Sequence, residues 1–198
     1  SGKITSAIYG GGNQADTQNS NIVVNNNIDK IPNIFGGGYS ASVVTSFINI
    51  DGGTIGTVYG GSNTNGTVPT TNVNINGGVT DTVYGGNNMG GNTITANVNV
   101  YTNGTAGDVY GGGNEAITTE TKVVINGTVT GSIYGGGNLA QIETSTDVLV
   151  ENAKVTNNVY GGGNEGIVQQ DANVHIKNSE LENSVYAGGN GTAAIVKG

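Results

Sequence analysis

Six tyrosines, Tyr59, Tyr84, Tyr110, Tyr134, Tyr160 and Tyr186, recur at intervals of 25, 26, 24, 26 and 26 residues. Phe35 and Tyr9 extend the row toward the N-terminus. A regular aromatic strip could stack on sugar rings or form a partner interface, so these six tyrosines are candidate ligand-binding residues. The same rings could instead stack on one another and hold register. Four residues after the aromatic lies a second column, Asn13, Asn63, Asn88, Asn114, Asn138, Asn164 and Asn190, broken once by Tyr39. Stacked Asn amides bond to their copies above and below, and Asn tolerates left-handed backbone at a bend. This column is read as a structural ladder.

Groups suited to catalysis are sparse. Glu115 and Glu165 share a column, with Leu139 between them. Two steps of about 4.8 Å each place them at the upper edge of the spacing of an inverting glycosidase pair, about 6.5–9.5 Å. No further polar group converges on them. The one histidine, His175, is expected on an outward column near Lys177. The Gly-Gly-Gly run lacks the Lys-Ser/Thr and the following helix of a phosphate loop, and Asn stands where a calcium-binding nonapeptide repeat has Asp. Cysteine is absent, which removes thiolate metal sites and disulfides. No catalytic residue, metal site or cofactor is assigned, and the chain is read as non-enzymatic.

The elements that carry these columns form one repeat. A β-branched residue precedes each aromatic: Ile8, Ile34, Val58, Val83, Val109, Ile133, Val159 and Val185. Halfway round lie the pairs Ile22/Val24, Ile48/Ile50, Val73/Ile75, Val98/Val100, Val123/Ile125, Val148/Val150 and Val174/Ile176. The residue inside each pair is mostly polar, so the period is two and one face is buried. A third apolar column precedes the motif by about five residues: Ile55, Val79, Thr105 or Ala106, Val129, Val155 and Leu181. Turn signals such as Asn76-Gly77-Gly78 and Asn126-Gly127 bracket it. No window shows a 3.6-residue period. The residue two before each Tyr is mostly polar, which predicts the Tyr outward and the preceding Val or Ile inward.

These spacings predict an all-β fold, a single parallel β-helix over residues 1–198. It has seven to eight coils of about 25 residues with about three short strands each. A right-handed coil is expected of parallel crossovers. Leucine-rich repeats need many Leu, and this chain has three. Kelch blades repeat at about 50 residues. An ice-binding Thr array fails because Thr119-Glu120-Thr121 and Thr144-Ser145-Thr146 have no continuation on neighbouring coils. Thr121 and Thr146 also share the parity of the inward Val123 and Val148.

The net charge is −8, with six Lys and no Arg among 198 residues. No cationic cluster suits nucleic acid, and no apolar run reaches the about 18 residues of a membrane span. The composition suits an extracellular protein. The pattern starts and stops without an evident cap, so the segment is expected to belong to a longer repeat protein.

The strings Ser132–Asn138 and Asn158–Asn164, S-I-Y-G-G-G-N and N-V-Y-G-G-G-N, each preceded by a V-x-I-type strand, resemble repeats of large bacterial cell-surface adhesin-like proteins. More broadly they resemble the pectin-lyase-like parallel β-helix, which hosts both enzymes and adhesins. The resemblance implies a structural stalk segment of a bacterial surface or secreted protein. It also allows a carbohydrate- or partner-binding solenoid that uses the Tyr row. The implied partners are a glycan or host cell-surface protein, and flanking domains of the same chain.

Overall fold

Val and Ile at alternate positions suit a pleated surface that stacks on copies of itself, and the chain winds accordingly. A computed structural model describes residues 4–25 and 29–198. It is a parallel β-solenoid of about seven turns, without helix among the described residues. Two parallel sheets face each other across the core. The first carries the motif and begins with Ala7–Tyr9, Ile31–Phe35, Thr54–Tyr59, Val79–Tyr84 and Thr105–Tyr110. The second stacks Thr17–Val24, Val43–Ile50, Thr67–Ile75, Asn92–Val100, Ile117–Ile125, Thr146–Glu151 and Ala172–Lys177.

The expectation of three strands per coil holds only in the last coils. Earlier coils run the third apolar column and the motif as one strand. From residue 128 the strand divides into Thr128–Val129 with Ile133–Tyr134, Lys154–Val155 with Val159–Tyr160, and Glu180–Leu181 with Val185–Tyr186. In the first and last of these coils the division has a local cause. Asp108 Oδ1 accepts the Ser132 N–H at 2.8 Å, and Asn158 Oδ1 accepts that of Ser184 at 3.1 Å. A side-chain oxygen thus takes an amide that a ladder carbonyl would otherwise hold. Pro32 lies within a continuous strand, Ile31–Phe35.

The inward columns form one core. Ile34, Val58, Val83, Val109, Ile133 and Val159 pack across it against Ile48/Ile50, Val73/Ile75, Val98/Val100, Val123/Ile125 and Val148/Val150, all fully buried. The third column needs one correction. Ile55 pairs in register with Thr80, and Thr80 with Ala106. Thr80 is therefore inside and Val79 is exposed. After the turn Gly77-Gly78 the inward position falls one residue later than the apolar spacing suggests. Ala106, rather than Thr105, holds the column in its own coil. The Thr80 hydroxyl is buried without a hydrogen-bond partner, as is that of Thr118.

The motif glycines are required by contact rather than by backbone angle. Positive φ occurs at Gly53, Gly66, Gly78 and Gly91, none of them in the motif run. At Gly10, Gly36, Gly60, Gly85, Gly111, Gly135 and Gly161, a Cβ would fall closer than 3.0 Å to the carbonyl oxygen of the next coil. That carbonyl belongs to the next glycine of the column, or to Ala187 in the last coil. The coils therefore touch backbone to backbone along this line. The third glycine of the run is replaced twice, by Ser62 and Asn87, both fully buried. Elsewhere an alanine fills this space, such as Ala41 against Gly38 and Ala140 against Gly137. Ser62 and Asn87 occupy it themselves, and the loops that follow carry the left-handed Gly66 and Gly91.

Two stability changes follow. Gly135→Ala places a methyl against the Gly161 carbonyl and the Val148 side chain, so it is expected to destabilise by about 1–3 kcal/mol, the range for overpacking. Gly188→Ala, whose methyl meets nothing within 4 Å, is expected to be near neutral. Thermal melts of the pair check this, and equal melting temperatures would refute the contact argument. Thr80→Val replaces an unpartnered buried hydroxyl by a methyl of similar size and is expected to stabilise by about 1 kcal/mol; a lowered melting temperature would show that the hydroxyl has a partner.

Candidate functional site: the tyrosine and asparagine ladders

The Tyr side chains leave the strand on the face opposite the core and form a cluster of their own. Residues of one column recur at the coil spacing of about 4.8 Å, which suits parallel rings. From Tyr59 to Tyr186, neighbouring ring centroids lie 4.9, 4.7, 4.7, 5.1 and 5.1 Å apart, with planes within 4–11°. Phe35 continues the row at 4.8 Å from Tyr59, and Tyr9 at 4.9 Å from Phe35.

The prediction that the row points away from the core is correct, but the exposed flat strip is not there. Tyr84, Tyr110, Tyr134 and Tyr160 are only 7–9% exposed, and Tyr59 is half-buried. Each ring covers its neighbours' faces, so no internal face is free for a sugar. Only Tyr186, at the end of the row, is open, at 47%. Outward from a two-residue core column does not mean exposed when the next coil sits one ring thickness away.

The Asn amides run beside the rings. Asn88 Nδ2 donates to Asn63 Oδ1 at 2.8 Å, and the pattern repeats from Asn114 to Asn88, Asn138 to Asn114, Asn164 to Asn138 and Asn190 to Asn164 at 2.8–3.0 Å. Asn63 Nδ2 ends the run on the Tyr9 hydroxyl at 3.2 Å, across the coil whose Asn is replaced by Tyr39. The Tyr39 ring meets Tyr9 edge-on at 5.9 Å. Asn13 is exposed, and its backbone carbonyl accepts the Ser40 N–H. None of these Asn residues is left-handed; that conformation falls to Asn152 and Asn178, in the turns after the second sheet.

A third ladder was missed by sequence reasoning. Ser20, Ser46, Thr71, Thr121 and Thr146 point inward from the second sheet and donate to the carbonyls of Gly36, Gly60, Gly85, Gly135 and Gly161 at 2.5–2.6 Å. The first motif glycine turns its carbonyl into the core, where it needs a donor. The signal was a small hydroxyl residue two before the first member of each V-x-I pair, interrupted by Ala96 and Ala172. It also accounts for Thr121 and Thr146, which are buried donors rather than a surface array.

The remaining candidates stay apart. Glu115, Leu139 and Glu165 form an exposed column. His175 is exposed on the outer face, its Nε2 3.9 Å from Asp147 Oδ1. Among the described residues no group of three or more His, Cys, Asp or Glu could hold a metal ion. No protein-family model, curated protein or solved structure matches the chain.

Burial within the row raises the pKa values of Tyr59, Tyr84, Tyr110 and Tyr134. Tyr84 is pushed from 10.0 up to about 12, first by desolvation and then by Tyr59 and Asp108. Tyr110 is pushed up by desolvation, then by Tyr84, Asp108 and Tyr134. Between pH 10 and about 12 the unfolded chain releases phenol protons that the folded chain keeps. The row's contribution is thus intact below pH 10 and is lost as the pH rises through about 12. A tyrosinate absorbance titration is expected to show a group of phenols that ionises only well above pH 10, coupled to loss of β-structure. Ionisation of all nine tyrosines in one transition near pH 10 would contradict the buried row.

Proposed function

We propose that this chain is a non-catalytic structural repeat segment, a stalk, of a bacterial surface or secreted adhesin-like protein. The continuity of its ladders supports this reading above all. The rings from Tyr59 to Tyr186 and the amides from Asn63 to Asn190 bond or stack coil to coil. Strand pairing keeps the same columns together throughout. These side chains serve the coil above and the coil below.

The mechanism is mechanical. Each coil adds about 4.8 Å of length, and about seven turns give a rod of roughly 35 Å. Bending such a rod must open ladders on one flank and compress them on the other. Stability is then close to a sum of coil and nearest-neighbour terms. Flanking domains of a longer chain would be presented at its ends. Small-angle scattering of the isolated chain is expected to give an elongated profile, and pulling its ends apart a series of coil-sized steps. A single all-or-none rupture, or polysaccharide cleavage that Glu115→Gln abolishes, would overturn the stalk reading.

The alternative is a carbohydrate- or partner-binding solenoid that uses the aromatic column. Glycan-array binding that is lost in Tyr186→Ala would select it over the stalk.

A further inference from the structure

Where glycine follows asparagine, the glycine nitrogen can attack the side-chain amide, because no Cβ hinders its approach. The chain has five such steps: Asn65-Gly66, Asn76-Gly77, Asn103-Gly104, Asn126-Gly127 and Asn190-Gly191. The fold treats them differently. At four of them the glycine N–H is tied to a carbonyl. Gly77 donates to Ile50 at 2.9 Å, Gly104 to Tyr101 at 2.8 Å, Gly127 to Val100 at 3.0 Å and Gly191 to Asn164 at 2.6 Å. Three of these four also hold the asparagine amide. Asn76 Nδ2 donates to Asp51 Oδ1, Asn126 Nδ2 to the Glu151 carbonyl and Asn190 Nδ2 to Asn164 Oδ1. Asn65-Gly66 is the exception. Neither the Asn65 side chain nor the Gly66 N–H has a hydrogen-bond partner among the described residues. Asn65 is exposed, and Gly66 lies between strands at a φ of 125°.

We propose that Asn65 is a self-modifying site, where the chain converts its own side-chain amide to a carboxylate through a cyclic imide. The Gly66 nitrogen gives its proton to hydroxide and bonds to the Asn65 Cγ. Nδ2 takes a proton from water and leaves as ammonia, which closes a succinimide ring. Water then opens the ring. Cleavage of the new N–Cγ bond gives aspartate. Cleavage between the nitrogen and the Asn65 main-chain carbonyl carbon gives isoaspartate, whose backbone runs through Cβ and is one atom longer. The balance is water gained and ammonia lost. No enzyme or oxidant is needed, so modified chains accumulate with age. Either product adds a negative charge just before the strand Thr67–Ile75. Isoaspartate also lengthens the coil where the Thr67 N–H donates to Ser42 Oγ at 3.1 Å and Asn87 Nδ2 donates to the Gly66 carbonyl at 2.8 Å. An ageing stalk thus loosens first between these coils.

The test incubates the full chain in mildly alkaline buffer and follows each Asn-Gly step by peptide mapping. Mass spectrometry reads the product as a small mass gain, and chromatography separates isoaspartyl from aspartyl peptides. Asn65 is expected to react at least about tenfold faster than the other four steps, the factor for first opening one or two hydrogen bonds. Asn103 is the sharpest control. It is exposed and its side chain has no hydrogen-bond partner among the described residues, but its glycine N–H is held by the Tyr101 carbonyl. In a parallel sample unfolded in urea, all five steps are expected to react at similar rates, because the fold no longer separates them. Equal rates at Asn65 and Asn103 in the folded chain would show that the free glycine N–H does not decide the site. An Asn65 that reacts in urea and stays intact in the folded chain would show that the fold forbids the ring. Either result overturns the proposal.

Discussion

The structure depends on how closely two coils approach at the first glycine of the motif. There the backbone of one coil lies against the carbonyl of the next, in space that any Cβ would claim. With glycine at every position of this line before Ala187, the strand spacing of about 4.8 Å persists around the bend. If that line opened, the neighbouring columns would lose their common spacing. The Tyr rings would separate and the Asn amides would move out of hydrogen-bond range. The glycine thus acts through what it lacks, and the ladders on either side depend on it.

That approach creates a second requirement. A backbone packed this tightly turns polar groups into the core, and buried carbonyls need donors. The hydroxyls of Ser20, Ser46, Thr71, Thr121 and Thr146 answer it from the opposite sheet. They tie the two sheets together across the core, whereas the Asn amides tie coil to coil outside it. At Ala96 and Ala172 the hydroxyl is missing, and the stack tolerates the gap because strand pairing holds both sides. Ser62 and Asn87 solve a related problem, filling with a polar side chain the space that Gly and Ala fill together in other coils.

Much of this was legible because a solenoid repeats its physics. Columns of identical residues at a 24–26 residue interval specify parallel stacking, and period-two alternation specifies the buried face. What escaped was of two kinds. The inward Thr80 was hidden because Val79 beside it is the more apolar residue, and only the turn geometry decides which one enters. The hydroxyl ladder was hidden because Ser and Thr two residues before a Val read as strand surface until the inward glycine carbonyls are known. The Tyr row was placed on the correct face, yet its exposure was misjudged. Alternation along a strand fixes which side a ring leaves from, while its burial is set by the coil above.

This last point separates the two functional readings physically. A flat aromatic surface for sugars needs rings lying in the plane of the sheet's outer face. Rings stacked at 4.7–5.1 Å along the solenoid axis stand on edge to that face. The same arrangement that removes the faces from ligands brings each π system into contact with the next. A continuous stack is therefore poorly suited to sugar recognition along its length and well suited to cohesion between coils.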